Sequence, residues 1–403
     1  MVILLIFILS ILFPIISSVE ISSNNIIYVD DDGTADYIKI QDAIDNASDG
    51  DTIFVYNGTY YENIIIDKSI DLIGEDTNNT KIQGDGISNI VTINSDWVDI
   101  SGFNISKSVL EDSWERVAGI YLKSNFCLIH NNIVHGFYYD LYLNCSSNNK
   151  IYQNIIYEEV NGIFLFKSCN NNSIFENMIY GFDYGGIFIL DESNDNIICN
   201  NIMFDCHEMI MIDNSGYNII TNNTINKEGH GVGIWLSTGY YNEITNNILE
   251  NLTYGVALHE ASINNIIKNN LIQNNRDGIN IFQKSENNIV INNIISNNSN
   301  DGIFIAESKD NLVQFNDIIN NIHGVYLVID SNRNIIIENN FENNKINALF
   351  SSSYYTTWYK NYWDQPRDTP YLIWGGIRIT YRISFPWVQF DRNPAQEPYD
   401  IGI

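Results

Sequence analysis

GINIFQKSENNIVINNIISNNSNDG, residues 278–302, is one unit of the pattern that decides the fold. It opens on Gly278 with apolar residues at alternate positions, passes a second apolar run at Ile289 and reaches Asn293-Ile294. It closes at Gly302, where the same order begins again. The Asn marks recur at Asn132, Asn154, Asn177, Asn201, Asn223, Asn247, Asn270, Asn293 and Asn340, with Asp317 standing between the last two. Their steps are about 22 to 24 residues, the signature of a repeat architecture. In phase with them run a Gly ladder (Gly162, Gly186, Gly233, Gly255, Gly278, Gly302, Gly324) and an apolar ladder (Ile174, Ile197, Ile219, Ile244, Ile266, Ile289, Ile335).

Apolar residues at i and i+2, broken by Asn, Gly and Ser, predict three short strands per repeat and no helix. Such a repeat exposes its inward Ile and Val on both flat ends, so it is stable only when stacked on copies of itself. The expected fold is all-β: a right-handed parallel β-helix of about thirteen coils, each of about 23 residues, around a column of aliphatics. Stacked Asn side chains can hydrogen-bond from rung to rung at the turns, which accounts for about 60 Asn in one chain.

The 403 residues carry a net charge of −29 with only 17% charged residues. A phosphate backbone is therefore excluded as a partner. Ca²⁺ is compatible with this field, but no segment supplies a ligand loop, and no cofactor is expected. Residues 1–19 read as a signal peptide or an N-terminal anchor: Val2 to Ile16 is almost wholly apolar, and Ser17 and Ser18 supply small residues for cleavage. Export, to the cell surface or beyond, is the expectation, with membrane contact only through this segment if it stays attached. Nine Asn-x-Ser/Thr sequons suit an exported surface. Cys145 and Cys169 lie about one coil apart near the same turn, a spacing that suits either a rung-to-rung disulfide or two buried small apolar groups.

Residues 20–75 differ from the repeats that fill 76–346. Ile38, Ile40, Ala43, Ile44 and Ala47 share one helical face, and such a helix would cover the open end of the aliphatic column. The turn Asp30-Asp31-Asp32-Gly33 lacks cation-ligand spacing and reads as solvated. Residues 347–403, with Trp358, Trp363, Trp374 and Trp387 among Pro366, Pro370 and Pro386, read as a cap over the last coil.

Several strings carry a resemblance to a known family. They are Tyr37-Ile38-Lys39-Ile40-Gln41-Asp42-Ala43-Ile44, Gly50-Asp51-Thr52-Ile53-Phe54-Val55, Gly58-Thr59-Tyr60-Tyr61-Glu62-Asn63 and Ile70-Asp71-Leu72-Ile73-Gly74. They are similar to the N-terminal cap and first coils of NosD-type, pectin-lyase-like β-helix proteins, a group that includes carbohydrate-binding proteins and sugar hydrolases. Asn361-Tyr362-Trp363-Asp364 resembles a tail found in archaeal members. The resemblance implies fold strongly and chemistry weakly, because the shared strings are caps and stacking positions. It also implies copper, which this chain does not support: six His are scattered over many coils and five Met form no stripe. Gly229-His230-Gly231 looks like a polygalacturonase strand, but the paired Asp that this likeness requires on neighbouring coils are missing.

Between the inward aliphatics of the Gly-led strands one residue points outward. The chain places Tyr121, Tyr142, Phe164, Phe188, Met211, Trp235, Ala257, Asn280, Phe304 and Tyr326 there. An exposed aromatic stripe of this kind offers ring faces to sugars. Asp140, His207, Glu208, Asp277, Asp301 and His323 precede it, and Asp191, Glu192, His259, Glu260, Glu307 and Asp330 follow it. The candidate binding set is Tyr121, Tyr142, Phe164, Phe188, Trp235, Asp191, Glu192, Glu208, His259 and Glu260, with a polysaccharide or cell-envelope glycan as partner. No catalytic residue is assigned. The alternatives are a polysaccharide hydrolase, lyase or epimerase, and a structural or adhesive envelope protein.

Overall fold

The computed structural model describes residues 25–402 apart from 109–115, 228, 381 and 382, so the segment read as a signal or anchor lies outside the described residues. Each coil lays down three strands, exemplified by Asp277–Phe282, Ile289–Ile291 and Ile294–Ser296. Each strand pairs in parallel with its counterpart one coil away: Ile279 with Ile303, Val290 with Val313, Ile295 with Ile318. The fold is a parallel β-helix. Its third sheet has 14 strands, more than the thirteen coils expected, because Gly58–Tyr60 at one end and Tyr362–Trp363 at the other also stack.

The core is the expected column. Ile279, Ile281, Val290 and Ile295 are fully buried, and so are their counterparts in neighbouring coils. The doubled Ile of the short second strands hid their phase, since either residue suits an apolar ladder. Ile198, Ile220, Ile267 and Ile336 point inward, while Ile197, Ile219 and Ile335 are exposed.

Two corners carry long amide ladders, and the remaining corner carries a shorter one from Asn275 through Asn298 and Asn321 to Asn344. In one of the long ladders, Asn223 donates from its backbone N–H (2.9 Å) and its Nδ2 (3.0 Å) to Oδ1 of Asn247. Asn247 does the same to Asn270, and the chain of bonds continues to Asn339 and Asn361. A parallel ladder runs from Asn149 through Asn242 to Asn334. The residue before each ladder Asn is left-handed, as at Asn222, Asn246 and Asn269, so the frequent Asn-Asn pair has two separate causes. The first Asn tolerates positive φ and the second bonds across rungs. Glu176, Phe315 and Glu338 occupy the left-handed position in other coils. That strain, about 1 kcal/mol or more each, persists because the ladder beside it over-determines the turn.

A hydroxyl ladder lies at the same corner, with Ser193 donating from its backbone to Ser215 Oγ at 3.1 Å. Cys169 belongs to this ladder: Ser146 N–H donates to its Sγ, and Cys145 is exposed on the other side of the turn. The rung-to-rung disulfide is therefore corrected. The stack aligns Cys169 with Ser146, and all five cysteines are free thiols.

Both ends are closed. The helix Ile40–Asn46 buries Ile40, Ala43 and Ile44 on the column. Glu62 accepts the first N–H groups of the helix, from Ile40 at 2.9 Å and Gln41 at 3.0 Å, while Lys68 Nζ donates to its last carbonyls. At the other end Trp363 stacks between Phe341 and Tyr371. Asp391, fully buried, accepts from Asn361 N and Nδ2 and from Trp363 Nε1, so a carboxylate meets the donor end of the amide ladder. Only Trp358 and Trp363 serve as the expected cap. Trp374 and Trp387 sit on a hairpin, Tyr371–Thr380 with Ile383–Asp391, and are 61% and 54% exposed.

Two outcomes test this description. Asn247→Ala takes the acceptor from the Asn223 N–H and the Nδ2 donor from the Ile220 carbonyl inside the molecule, and should cost about 3 kcal/mol or more in urea unfolding. A loss below about 0.5 kcal/mol would remove the ladders from the stability argument. Asp140 is fully buried, its Oδ2 has no partner, and burial pushes its carboxyl well above the usual range. An acid raised in the folded state contributes stability below its unfolded pKa that is lost as pH rises. Asp140→Asn should therefore melt higher than the parent near neutral pH, with the gap closing in acid; an equal gap at both would contradict the burial assignment.

Candidate functional site

The Gly-led strands turn their first, fourth and sixth residues outward, and parallel register stacks each into a column. Tyr139, Asn161, Gly185, Glu208 and Val232 are Cα partners in the first column, and Tyr142, Phe164, Phe188, Met211 and Trp235 in the fourth. Gly185 leaves the first column empty above Glu208. Phe188 fills part of that space: a Cβ on Gly185 would lie 2.2 Å from its ring. Phe188 is accordingly only 2% exposed, and the stripe expected to be open is half-buried in its own neighbours, with Ala257 and Asn280 covered as well.

The columns frame a groove of about 470 Å³, bounded by Arg116 at one end and Trp235 at the other, with Tyr139, Tyr184 and Phe188 as walls and Glu208 at its base. The Arg116 guanidinium lies 5.6 Å from the Tyr138 ring centre. Glu208 Oε2 and Trp235 Nε1 are both buried without a hydrogen-bond partner among the described residues. Burial alone pushes the Glu208 carboxyl up to about 7, with no charged neighbour contributing. Burial likewise pushes the Tyr142 phenol up to about 12.

The groove brings together Phe164, Phe188, Trp235 and Glu208 of the sequence-derived set. Tyr142 adjoins it, 5.6 Å from Phe164 between ring centres, and Tyr121 continues the stack at 5.4 Å from Tyr142. His259 packs its ring 5.3 Å from Trp235 and bonds Gln283 through Nδ1; burial lowers its pKa. Asp191, Glu192 and Glu260 are not brought in. They occupy left-handed corner positions past the strand ends, where Glu260 accepts from Ser237 Oγ. Arg116, Tyr138, Tyr139, Tyr184 and Asp213 also line the groove and escaped the sequence reading. Tyr139 was findable, because it stands at the register position of Glu208; Arg116 stands two residues before the strand Ala118–Leu122, at a position that the periodic pattern does not mark.

Among the described residues no three His, Cys, Asp or Glu side chains converge on a point that could hold a metal ion. His130, His135 and His323 each face a single carboxylate, on Asp99, Glu158 and Asp301. In the acidic turn Asp30, Asp31 and Asp32 accept backbone N–H groups of Asp32, Thr59 and Thr34, so their carboxylates are already engaged. No helix among the described residues is long and apolar enough to cross a membrane.

Among solved structures, the A-module of an Azotobacter vinelandii mannuronan C-5 epimerase superposes with a TM-score of 0.52 at 15% identity, covering 79% of this chain and 91% of that one. The Dettilon tailspike protein superposes with a TM-score of 0.59 at 16% identity, covering 87% and 73%. At such identities the likeness is one of fold. No curated protein matches the chain. The family model described as periplasmic copper-binding protein (NosD) matches residues 44–254 and 206–379. Among the described residues the donor groups do not fit the copper of that description, since isolated His–carboxylate pairs and dispersed thiols offer no convergent set there. With matches running from residue 44 to residue 379, the chain belongs to the NosD family of parallel β-helix proteins.

Proposed function

We propose that this protein is exported and binds carbohydrate in the groove between Arg116 and Trp235. The observation that carries the reading is the pair of buried polar atoms, Glu208 Oε2 and Trp235 Nε1, left without partners in an aromatic-walled groove. Buried polar groups are nearly always satisfied, so two orphans in one groove point to a ligand that supplies the missing oxygens. Ring walls from Tyr139, Tyr184 and Phe188 suit the apolar faces of pyranoses. The periplasmic description of the family and the apolar N-terminal segment support export. Solved relatives of the same fold include a mannuronan epimerase, which makes a polysaccharide a reasonable ligand class.

A two-carboxylate hydrolase is less well supported. Such enzymes need carboxyl groups about 5 to 9.5 Å apart. Asp213, the other carboxylate of the groove, is five residues further along the same strand, about 16 Å away in an extended chain.

The full chain should retain glycans on an array, and Tyr184→Ala combined with Trp235→Ala should weaken retention by about tenfold or more. No retention by the parent, or equal retention by the variant with an unchanged melt, would refute this site. Glu208 is a hydrogen-bond donor below its raised pKa and an anion above it. Binding should therefore fall as pH rises through about 7 and become insensitive to pH in Glu208→Gln; a parent indifferent to pH over that range would remove Glu208 from the site.

A further inference from the structure

The fourth column continues past the groove: Trp235, Ala257, Asn280, Phe304 and Tyr326 are successive Cα partners. Aromatic size drops at Ala257 and Asn280 and returns at Phe304. Asn280 is 5% exposed, and its Oδ1 has no partner. It is the third orphan of this kind on one sheet face, after Glu208 and Trp235, and lies two rungs beyond Trp235, about 10 Å.

Beside Asn280 the first column turns from apolar to ionic. Asp277 Oδ1 accepts from the Asp301 backbone N–H at 3.0 Å and from Asn300 Nδ2 at 2.7 Å. Asp301 Oδ1 lies 2.6 Å from His323 Nδ1. In the tautomer whose Nδ1 donates to Asp301, the Nε2 of the imidazole is an acceptor, and Nε2 bonds no described residue. The His323 side chain is 20% exposed, so this acceptor sits at the surface rather than in the core. Its ring packs 5.3 Å from Tyr326, whose phenol ring in turn packs on Phe304 at 5.8 Å. An orphan amide oxygen, an oriented imidazole acceptor and two rings thus occupy one strip of the face.

We propose that Asn280, Asp301, His323 and Tyr326 form a second carbohydrate station, which holds a further stretch of the same linear polysaccharide that enters the groove at Glu208 and Trp235. This inference rests on the carbohydrate reading of the groove. Asn280 Oδ1 and His323 Nε2 are both acceptors, so the station takes sugar hydroxyls as donors. Asp301 acts as a positioning residue that holds the imidazole tautomer. From Glu208 to His323 the first column advances five rungs, about 24 Å. The protein therefore recognises an extended chain rather than a chain end or a short oligosaccharide.

Size-graded oligomannuronates and cello-oligosaccharides, an acidic and a neutral series, titrated into the full chain by calorimetry test this. Long members of a binding series should bind about tenfold or more tighter than short ones. Asn280→Ala and His323→Gln should each abolish much of that gain and leave short-chain affinity unchanged. Because Asn280 Oδ1 makes no bond, Asn280→Ala should not lower the melting temperature, which separates a binding role from a structural one. Binding that is lost in Trp235→Ala yet shows no length dependence, or variants that bind long chains like the parent, would overturn the second station alone. Failure of both series to bind would overturn the groove reading and the station together.

Discussion

The side-chain amide ladder is the interaction on which the rest of this structure depends. A parallel stack of near-identical coils has no intrinsic register, because an Ile column slides past another Ile column at little cost in burial. The Asn of each corner removes that freedom. Its Oδ1 accepts two bonds from one neighbouring coil, and its Nδ2 donates to a carbonyl of that same coil and to the ladder Asn of the next, as Asn247 does with Asn223, Ile220 and Asn270. A slip of one residue would leave these groups unpaired in the interior, where each costs about 1 to 3 kcal/mol.

Register then creates the functional face. Once rungs are locked, the outward positions of the Gly-led strands form straight columns, and distant residues such as Arg116, Tyr184, Glu208 and Trp235 meet in one groove. The same stacking buries part of what it aligns, as Phe188 under its neighbours shows. Burial also produces the electrostatic character of the site: Glu208 has a raised pKa through desolvation alone. A chain with net charge −29 thereby presents a groove whose Glu208 carboxyl is largely uncharged in mild acid.

The fold was legible because its determinants are periodic. Asn and Gly marks announced the coil, and the helical face at Ile40, Ala43 and Ile44 announced the cap. The faces of the short second strands were not legible, since Ile197-Ile198 offers two apolar choices and only neighbouring corners select between them. The groove was half legible. Phe164, Phe188 and Trp235 follow from strand alternation, whereas Glu208, Asp191, Glu192 and Glu260 stood out as acidic residues near the stripe, of which only Glu208 lines the groove and the others occupy corners. Arg116 and Tyr138 precede the strands Ala118–Leu122 and Tyr139–Asn144, at positions whose direction strand alternation does not fix.

Membership of the NosD family fixes the scaffold and leaves the chemistry of the face to the residues that the outward columns carry. The scaffold claim is the one to test most directly, by hydrogen exchange resolved to single residues. The backbone N–H groups of Asn154, Asn201, Asn247, Asn293 and Asn316 are at turns, yet donate to side-chain oxygens in the next coil. They should exchange as slowly as the adjacent strand amides. Fast exchange at these corners beside slow strands would contradict the ladder as the source of register and assign that role to the aliphatic column.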